Sequence, residues 1–471
     1  MRSWHFKALT LRSAPYGLGL LLLFCAASSG RSETMAGALA SAYSTNPDLN
    51  QQRAGLRATD ESVPQALALG RPNIVGSGQY GISHRYASLP GVSGSAFGGR
   101  STNDIGNVGA TITQNIFNGN QTLNSVRSAE SSILSAREVL RGTEQRILQN
   151  GATSYMDVLR DTAIVALRRN NITVLVEQLR QTRYRFQLGD VTKTDVAQAE
   201  SSLENARSEY FAAQANLKIS IANFRQVIGH EPNQLQPAAT VEKYLPANLD
   251  KAVIVAFAEH PSIQSARHAV DQAASQVKII EGQLYPQVDF VANTLKNLNV
   301  NGQKGYQRYA TTVGPQVTVP LYANGGITYA QIRQAKEQVT QAQLQADLQK
   351  TQVRATLVST WGELETARAT IQSAEASVRA SEIALTGVRL EAQVGQRTTL
   401  DVLNAQQTLL SMRVRLVTAQ RDRVVASYAV LGAMGKLTAA NLHLGVIQYD
   451  PTVHFKQIKD KWVGIRTPDG R

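Results

Sequence analysis

Between Gly119 and Leu188, and again between Gly325 and Val394, the chain runs roughly seventy residues without the proline that would break a helix. At 1.5 Å per residue, each run reaches about 100 Å as a helix. Within the runs an apolar residue returns once per heptad, at Val158, Val165, Ile172 and Leu179, and at Leu357, Leu364, Ile371, Val378 and Leu385. That spacing is a coiled-coil seam. A rod of this length does not fold into a compact enzyme domain, and it needs a partner helix along its whole face.

The partner comes directly after each run. Val196, Ala199, Leu203, Ala206, Tyr210, Ala213, Leu217, Ser220, Phe224 and Val227 form one stripe. Val402, Ala405, Leu409, Met412, Leu416 and Ala419 form the other, until Arg423 interrupts it. The stretches that open these stripes, FQLGDVTKTDVAQAE from Phe186 and AQVGQRTTLDVLNAQ from Ala392, are copies. Gln187, Gly189, Thr192, Asp195, Val196 and Ala199 return as Gln393, Gly395, Thr398, Asp401, Val402 and Ala405, each 206 positions later, as from 189 to 395.

The duplication covers most of the chain. NPDL at 46–49 answers HPSI at 260–263, RPNIVGSGQY from Arg71 answers YPQVDFVANT from Tyr285, TITQNIFNG answers TVPLYANGG, and VIG at 227–229 answers AMG at 433–435. The register changes between the two strand-like segments, so the second copy has a loop shorter by about eight residues. Each copy reads helix, strand, loop, strand, very long helix, tip, long helix. The expected organisation is a signal peptide at 1–30 and a first repeat at 31–228, with a strand hairpin at 71–118 and a helical hairpin at 119–228. A linker at 229–247 precedes a second repeat at 248–435, with hairpins at 285–323 and 325–435. The tail at 436–471 either wraps the middle of the rod or stays mobile.

The first thirty residues place Arg2, Lys7 and Arg12 before an apolar run from Tyr16 to Ala27 that is too short to span a bilayer, which is a secretory signal pattern. The single cysteine, Cys25, lies inside that run, so the exported chain is expected to carry no thiol, disulfide or lipid anchor. Export and the interleaving of Glu and Asp among the basic residues argue that the net charge of +13 does not mark a nucleic-acid binder.

Each copy also carries two alternating segments. Val108, Ala110, Ile112 and Ile116 face away from Asn107, Thr111, Thr113 and Asn115, and Tyr309, Thr311, Val313, Val317, Val319 and Leu321 face away from Thr312, Gln316 and Thr318. No second sheet is available to cover the apolar face, and about ten alternating residues suit a tilted membrane strand. Phe117 and Tyr322 mark one end of these strands, and Tyr86, Tyr306 and Tyr309 the other, as interfacial girdles do. Four strands cannot close alone, and an open edge in lipid leaves backbone groups unsatisfied. Two copies make a filled barrel of about eight strands, whereas three make about twelve, enough for a lumen. A homotrimer is therefore expected.

The glycines of GSGQYG at Gly76 to Gly81 fit a dinucleotide fingerprint only in spelling, because they lie within a strand instead of opening a helix. The seven histidines are scattered. No metal site, cofactor site or catalytic set is expected.

The leader, the duplicated strand and helix hairpins, the tips VGQRTTLDVLNAQ and LGDVTKTDVAQAE, the NPDL and HPSI segments and the VPLYANGG junction together resemble the TolC family of outer-membrane channel proteins. The resemblance implies a mainly α protein with a small β part. Long antiparallel coiled-coil hairpins and four transmembrane strands per protomer would build a twelve-stranded barrel and a twelve-helix periplasmic tunnel as a trimer. It also implies a passive exit duct for multidrug efflux and type I secretion. The implied partners are a periplasmic adaptor, an ABC or proton-driven inner-membrane pump, outer-membrane lipid, and exported proteins or small toxic compounds.

Residue by residue, the resemblance makes Gly189 and Gly395 the tip turns and Arg397 the arginine that latches onto Thr194 and Asp195 across protomers. Without the resemblance, Thr194 and Asp195 also read as residues that cap or solvate a helix start. The family's paired aspartate rings at the entrance map to Asp401 and Asn404, so only one acidic ring survives. A latch tyrosine maps to Ala392, so one restraint is missing. The competing readings are a periplasmic adaptor, which has one helical hairpin between β halves, and a structural surface fibre, which needs neither an acidic tip nor a returning hairpin.

Overall fold

The computed structural model describes residues 32–87, 99–299 and 305–470. The expected signal peptide, with Cys25, lies outside the described residues. Helices α1 (Met35–Thr45), α2 (Pro47–Asp60) and α3 (Ser62–Ala68) lead into strands β1 (Asn73–Ala87) and β2 (Gly99–Asn118), then α4 (Gln121–Gln187) and α5 (Lys193–Ile228). The second copy continues as α6 (Leu249–Glu259), α7 (Pro261–Gly282), β3 (Gln287–Leu298), β4 (Gln307–Thr318), α8 (Ile327–Gln393) and α9 (Thr399–Ala433), and α10 (Thr452–Ile458) is the last helix.

The proline-free runs are single helices of 67 residues each. Their antiparallel partners pack along the heptad seams: Ala199, Leu203, Ala206, Ala213 and Phe224 of α5 are buried, as are Leu357, Leu364 and Leu385 of α8. The NPDL and HPSI segments are helix starts. Asn46 Oδ1 accepts from the backbone N–H of Asp48, His260 Nδ1 accepts from that of Ser262, and Pro47 and Pro261 occupy first-turn positions where no N–H is needed.

The largest core lies where the hairpins cross the short helices. Leu39 and Tyr43 of α1, Leu148 and Tyr155 of α4, Phe224 and Ile228 of α5, and Leu431 of α9 are buried together. Gly151 lets α1 approach α4, because a Cβ there would stand 2.8 Å from Leu39 Cδ2. Of the two expectations for the tail, wrapping the middle of the rods is the one observed: Leu437, Ala439 and Leu444 enter this same core. Apolar spacing after Lys436 is too irregular to have shown that in advance.

The strands form one antiparallel sheet in the order β1-β2-β3-β4. The register pairs Ile74 with Ile112, Ile112 with Ala292 and Ala292 with Val313, so these residues share one face. The next residues along, Thr111, Asn293 and Thr312, share the other. The apolar face is uncovered, with Tyr80 73%, Ile74 69% and Val313 61% exposed. Strand β2 is longer than the window from Asn107 to Phe117. Residues 99–106 extend the pairing with β1, where His84 Nδ1 lies 2.8 Å from Thr102 Oγ1, and the sequence there, rich in glycine and polar residues, carries no alternation. Pro315 lies on β4, an end strand of the sheet, where proline is tolerated.

Fully buried Tyr155 places its hydroxyl 2.8 Å from the Glu33 carbonyl and 2.7 Å from that of Gln236, tying the chain before α1 to the interrepeat segment. Tyr155→Phe should destabilise the purified protein by about 1–3 kcal/mol through lost hydrogen bonding at buried carbonyls. A lowered denaturation midpoint in detergent, with unchanged helical circular dichroism at rest, checks this.

Candidate functional site

Both hairpins reverse by the same two devices. At the end of α4, Gly189 N donates to Phe186 O at 3.0 Å and Asp190 N to Arg185 O at 2.9 Å. At the end of α8, Gly395 N donates to Ala392 O at 3.3 Å and Gln396 N to Glu391 O at 2.9 Å. This closure forces φ to +85° at Gly189 and +79° at Gly395. Any side chain there costs about 1–2 kcal/mol, which explains the repeated glycine.

Shortly after each tip glycine a threonine, Thr192 or Thr398, caps the start of the return helix. Asp195 Oδ2 accepts from Thr192 N at 2.8 Å and Oγ1 at 2.7 Å, while Thr192 Oγ1 accepts from Asp195 N at 3.2 Å. Thr398 and Asp401 repeat the arrangement at 3.0, 2.8 and 3.2 Å. These are reciprocal capping boxes. The bond from the Thr192 hydroxyl, then that from its N–H, holds the Asp195 carboxyl below its usual range. At Asp401 the Thr398 N–H contributes most, the hydroxyl next, with the same sign. Both residues are therefore anionic at neutral pH.

Of the residues singled out from sequence, Gly189, Gly395, Asp195 and Asp401 thus hold the two turns. Arg397 is exposed, and its Nε donates to Glu391 Oε2 at 2.8 Å, a pairing that raises its pKa further. Among the described residues no hydrogen bond or ion pair joins Arg397 to Thr194 or Asp195 within the protomer. Thr194 is exposed beside the cap, and Asn404 is exposed one residue after buried Leu403.

The two hairpins meet through Leu403 of α9, which packs with Leu175 and Leu179 of α4 and Ala199 and Leu203 of α5. Deeper in, buried Gln406 Nε2 donates to Asn171 Oδ1 at 3.4 Å. Sequence reasoning missed Glu391, Thr192, Thr398 and the Asn171–Gln406 link. The spacings Thr192 to Asp195 and Thr398 to Asp401 carry a capping-box signal and were readable; the other contacts join distant positions and were not.

Comparison with known proteins identifies the family and the fold. A family model described as "Outer membrane efflux protein" matches residues 38–230 and 254–436, one block per repeat. The outer membrane efflux protein BepC of Brucella suis biovar 1 is 42% identical over 440 residues, 93% of each chain. The chain belongs to the outer membrane efflux protein family. TolC of Escherichia coli is 23% identical over 84% of this chain and 81% of its own. The fold matches the Campylobacter jejuni CmeC outer membrane channel with a TM-score of 0.73 at 16% identity, over 96% of this chain and 98% of that one.

As an outer membrane efflux protein the chain is an outer-membrane exit duct with a periplasmic helical extension, and its relatives are channels. Channels of the family are trimeric and work with periplasmic adaptors and inner-membrane pumps. Among the described residues no helix is long and apolar enough to cross a membrane. The amphipathic sheet, with its uncovered apolar face, is the transmembrane part of this outer-membrane channel. The tips then lie at the far end of the α4/α5 and α8/α9 hairpins from the membrane.

Thr192→Val should remove about 0.5–2 kcal/mol from the first turn of α5, read as faster hydrogen exchange at the Lys193 to Asp195 amides. Because the folded pKa of Asp195 is depressed, its capping stabilises the tip above the unfolded value and is lost as pH falls through the folded one. The protection factor of the Asp195 amide at the wild-type tip should therefore fall below about pH 4, and Thr192→Val should flatten that dependence.

Proposed function

We propose that three copies join their four-stranded sheets edge to edge into a barrel of twelve strands. Their four long helices each, α4, α5, α8 and α9, continue as a tunnel of twelve, closed at its inner end by the tips. One observation carries this reading: the sheet has an exposed apolar face, a polar opposite face and two open edges, at β1 and β4. An open edge in hydrocarbon leaves each backbone group unsatisfied at several kcal/mol, and joining β4 of one copy to β1 of the next removes both edges. A periplasmic adaptor has neither the sheet nor two hairpins, and a surface fibre needs no lipid-facing strands.

At the tips, Arg397 latches onto Thr194 and Asp195 of the partner subunit. The protomer supports this in two ways. Glu391 occupies Arg397 Nε and leaves its two terminal nitrogens for another acceptor. Thr192 uses only Oδ2 of Asp195, so Oδ1 is available on an ionised carboxylate. Each charge-assisted bond is worth roughly 1.5–3 kcal/mol when well formed. Asp401 supplies a single acidic ring at the entrance, with neutral Asn404 in the second position, so cation selectivity is weaker than two acidic rings would give. The cargo is small toxic compounds or exported proteins, after the efflux role printed in the name of BepC and the protease secretion printed in the name of AprF, and an inner-membrane pump reached through an adaptor drives it.

Arg397→Ser should raise single-channel conductance and the open fraction in planar bilayers. Glu391→Gln tests whether Arg397 is only an intrachain brace. A latch predicts that this variant stays closed, whereas a brace predicts that both variants open alike. Asp401→Asn removes the charge while keeping an acceptor for the Thr398 cap. It should shift the reversal potential in a salt gradient toward lower cation selectivity, and an unchanged value would place Asp401 off the conduction path.

A further inference from the structure

From α10 onward the tail leaves the core and returns to the base of the membrane sheet. His454 Nδ1 lies 3.0 Å from Asp60 Oδ2 of α2, and Phe455 packs on the cluster of Val63, Ala66, Ala129 and Ile133. From this anchor the chain reaches Arg71, just ahead of β1. Arg71 Nη1 donates to Lys461 O at 2.8 Å, and its guanidinium lies 4.8 Å from the centre of the Trp462 ring. The neighbouring Gly70 carbonyl accepts from Gln114 Nε2 of β2 at 2.7 Å, which fixes this level to the sheet. Trp462 is thereby held where strand gives way to helix, the level of exposed Phe117 and Tyr322.

The segment beyond Lys461 is unlike a soluble tail. Trp462, Val463 and Ile465 are 67%, 86% and 101% exposed in the protomer, although the segment is tied at both sides. Lys461 Nζ donates to Arg466 O at 2.6 Å, closing a short loop that presents the three apolar side chains together. Lys456, Lys459, Lys461 and Arg466 surround them against one carboxylate, Asp460, over residues 456–466. Apolar side chains led by a tryptophan and ringed by cations suit the boundary between acyl chains and anionic headgroups.

We propose that residues 461–466 form an interfacial foot that inserts Trp462, Val463 and Ile465 among the phospholipids of the periplasmic leaflet. Lys459, Lys461 and Arg466 meet anionic headgroups there. The occupant is the phospholipid surface itself, argued from continuity with the lipid-facing strands and from the charge of the segment. The foot ties α2, α3 and the outer end of α4 to the membrane plane independently of the barrel wall.

The chain holds tryptophan only at positions 4, 361 and 462. Trp361→Phe in the chain lacking residues 1–30 therefore leaves Trp462 as the single reporter in the assembled channel. Reconstituted in phosphatidylglycerol and phosphatidylethanolamine vesicles, its fluorescence should fall about twofold or more with a nitroxide near the lipid headgroup, and much less with one near the acyl chain end. The quenching should weaken in pure phosphatidylcholine and at high salt. Trp462→Phe in the otherwise unaltered protein should delete the lipid-quenchable component, which covers the case in which Trp361→Phe does not fold. Quenching by aqueous iodide without quenching by lipid would show a solvated tail. Protection from both quenchers would show burial by a neighbouring subunit. Lipid quenching indifferent to headgroup charge and salt would remove the cationic recognition. Each of these three results overturns the proposal.

Discussion

Unpaired backbone at the edges of the sheet sets the terms for the rest of this molecule. Within hydrocarbon no water is present to satisfy the N–H and C=O groups along β1 and β4, so the protomer is incomplete in the one place where it meets lipid. The amphipathic register makes the need specific. Ile74, Ile112, Ala292 and Val313 face lipid together, and a slip of one residue would turn Thr111 and Asn293 outward instead. Subunit association is therefore a consequence of backbone chemistry, and the helices inherit the geometry that the barrel imposes.

The periplasmic part solves a different problem, that of holding long rods in register. Heptad seams bury Leu357, Leu364 and Leu385 on one rod and Ala199, Leu203 and Phe224 on another, while the short helices and the tail form a girdle around Tyr155. The tips complete the rods by local chemistry: a left-handed glycine ends one helix and a threonine with an aspartate starts the next. Because Asp195 and Asp401 serve these turns, a gate built there is coupled to the integrity of the hairpin ends. The carboxylates that would take part in closing the entrance also hold the helices that would move.

Much of the fold was legible because its rules are periodic. Heptad spacing at Val158 to Leu179, alternation at Val108 to Ile116 and the copied tip motif are each properties of neighbouring residues, and their structural counterparts arise directly from them. The site was legible only in part. The tip glycines were recognisable, but a latch and a selectivity ring account for Asp195 and Asp401 without the capping partners Thr192 and Thr398 that the structure places against them. Glu391 beside Arg397 is six residues away along the chain, yet only the turn at Gly395 brings the two together.

By itself the sequence determined the duplicated plan, the long helices, the strand faces and the impossibility of a self-sufficient sheet, since each rests on local spacing, helical or alternating, and on the cost of bare backbone in lipid. Tertiary structure alone decided that the tail enters the core through Leu437 and Leu444, that Gln406 meets Asn171, and that Trp462 is carried back to Arg71. Those contacts join positions hundreds of residues apart, where no local period carries information and only the packed path of the chain sets the distance.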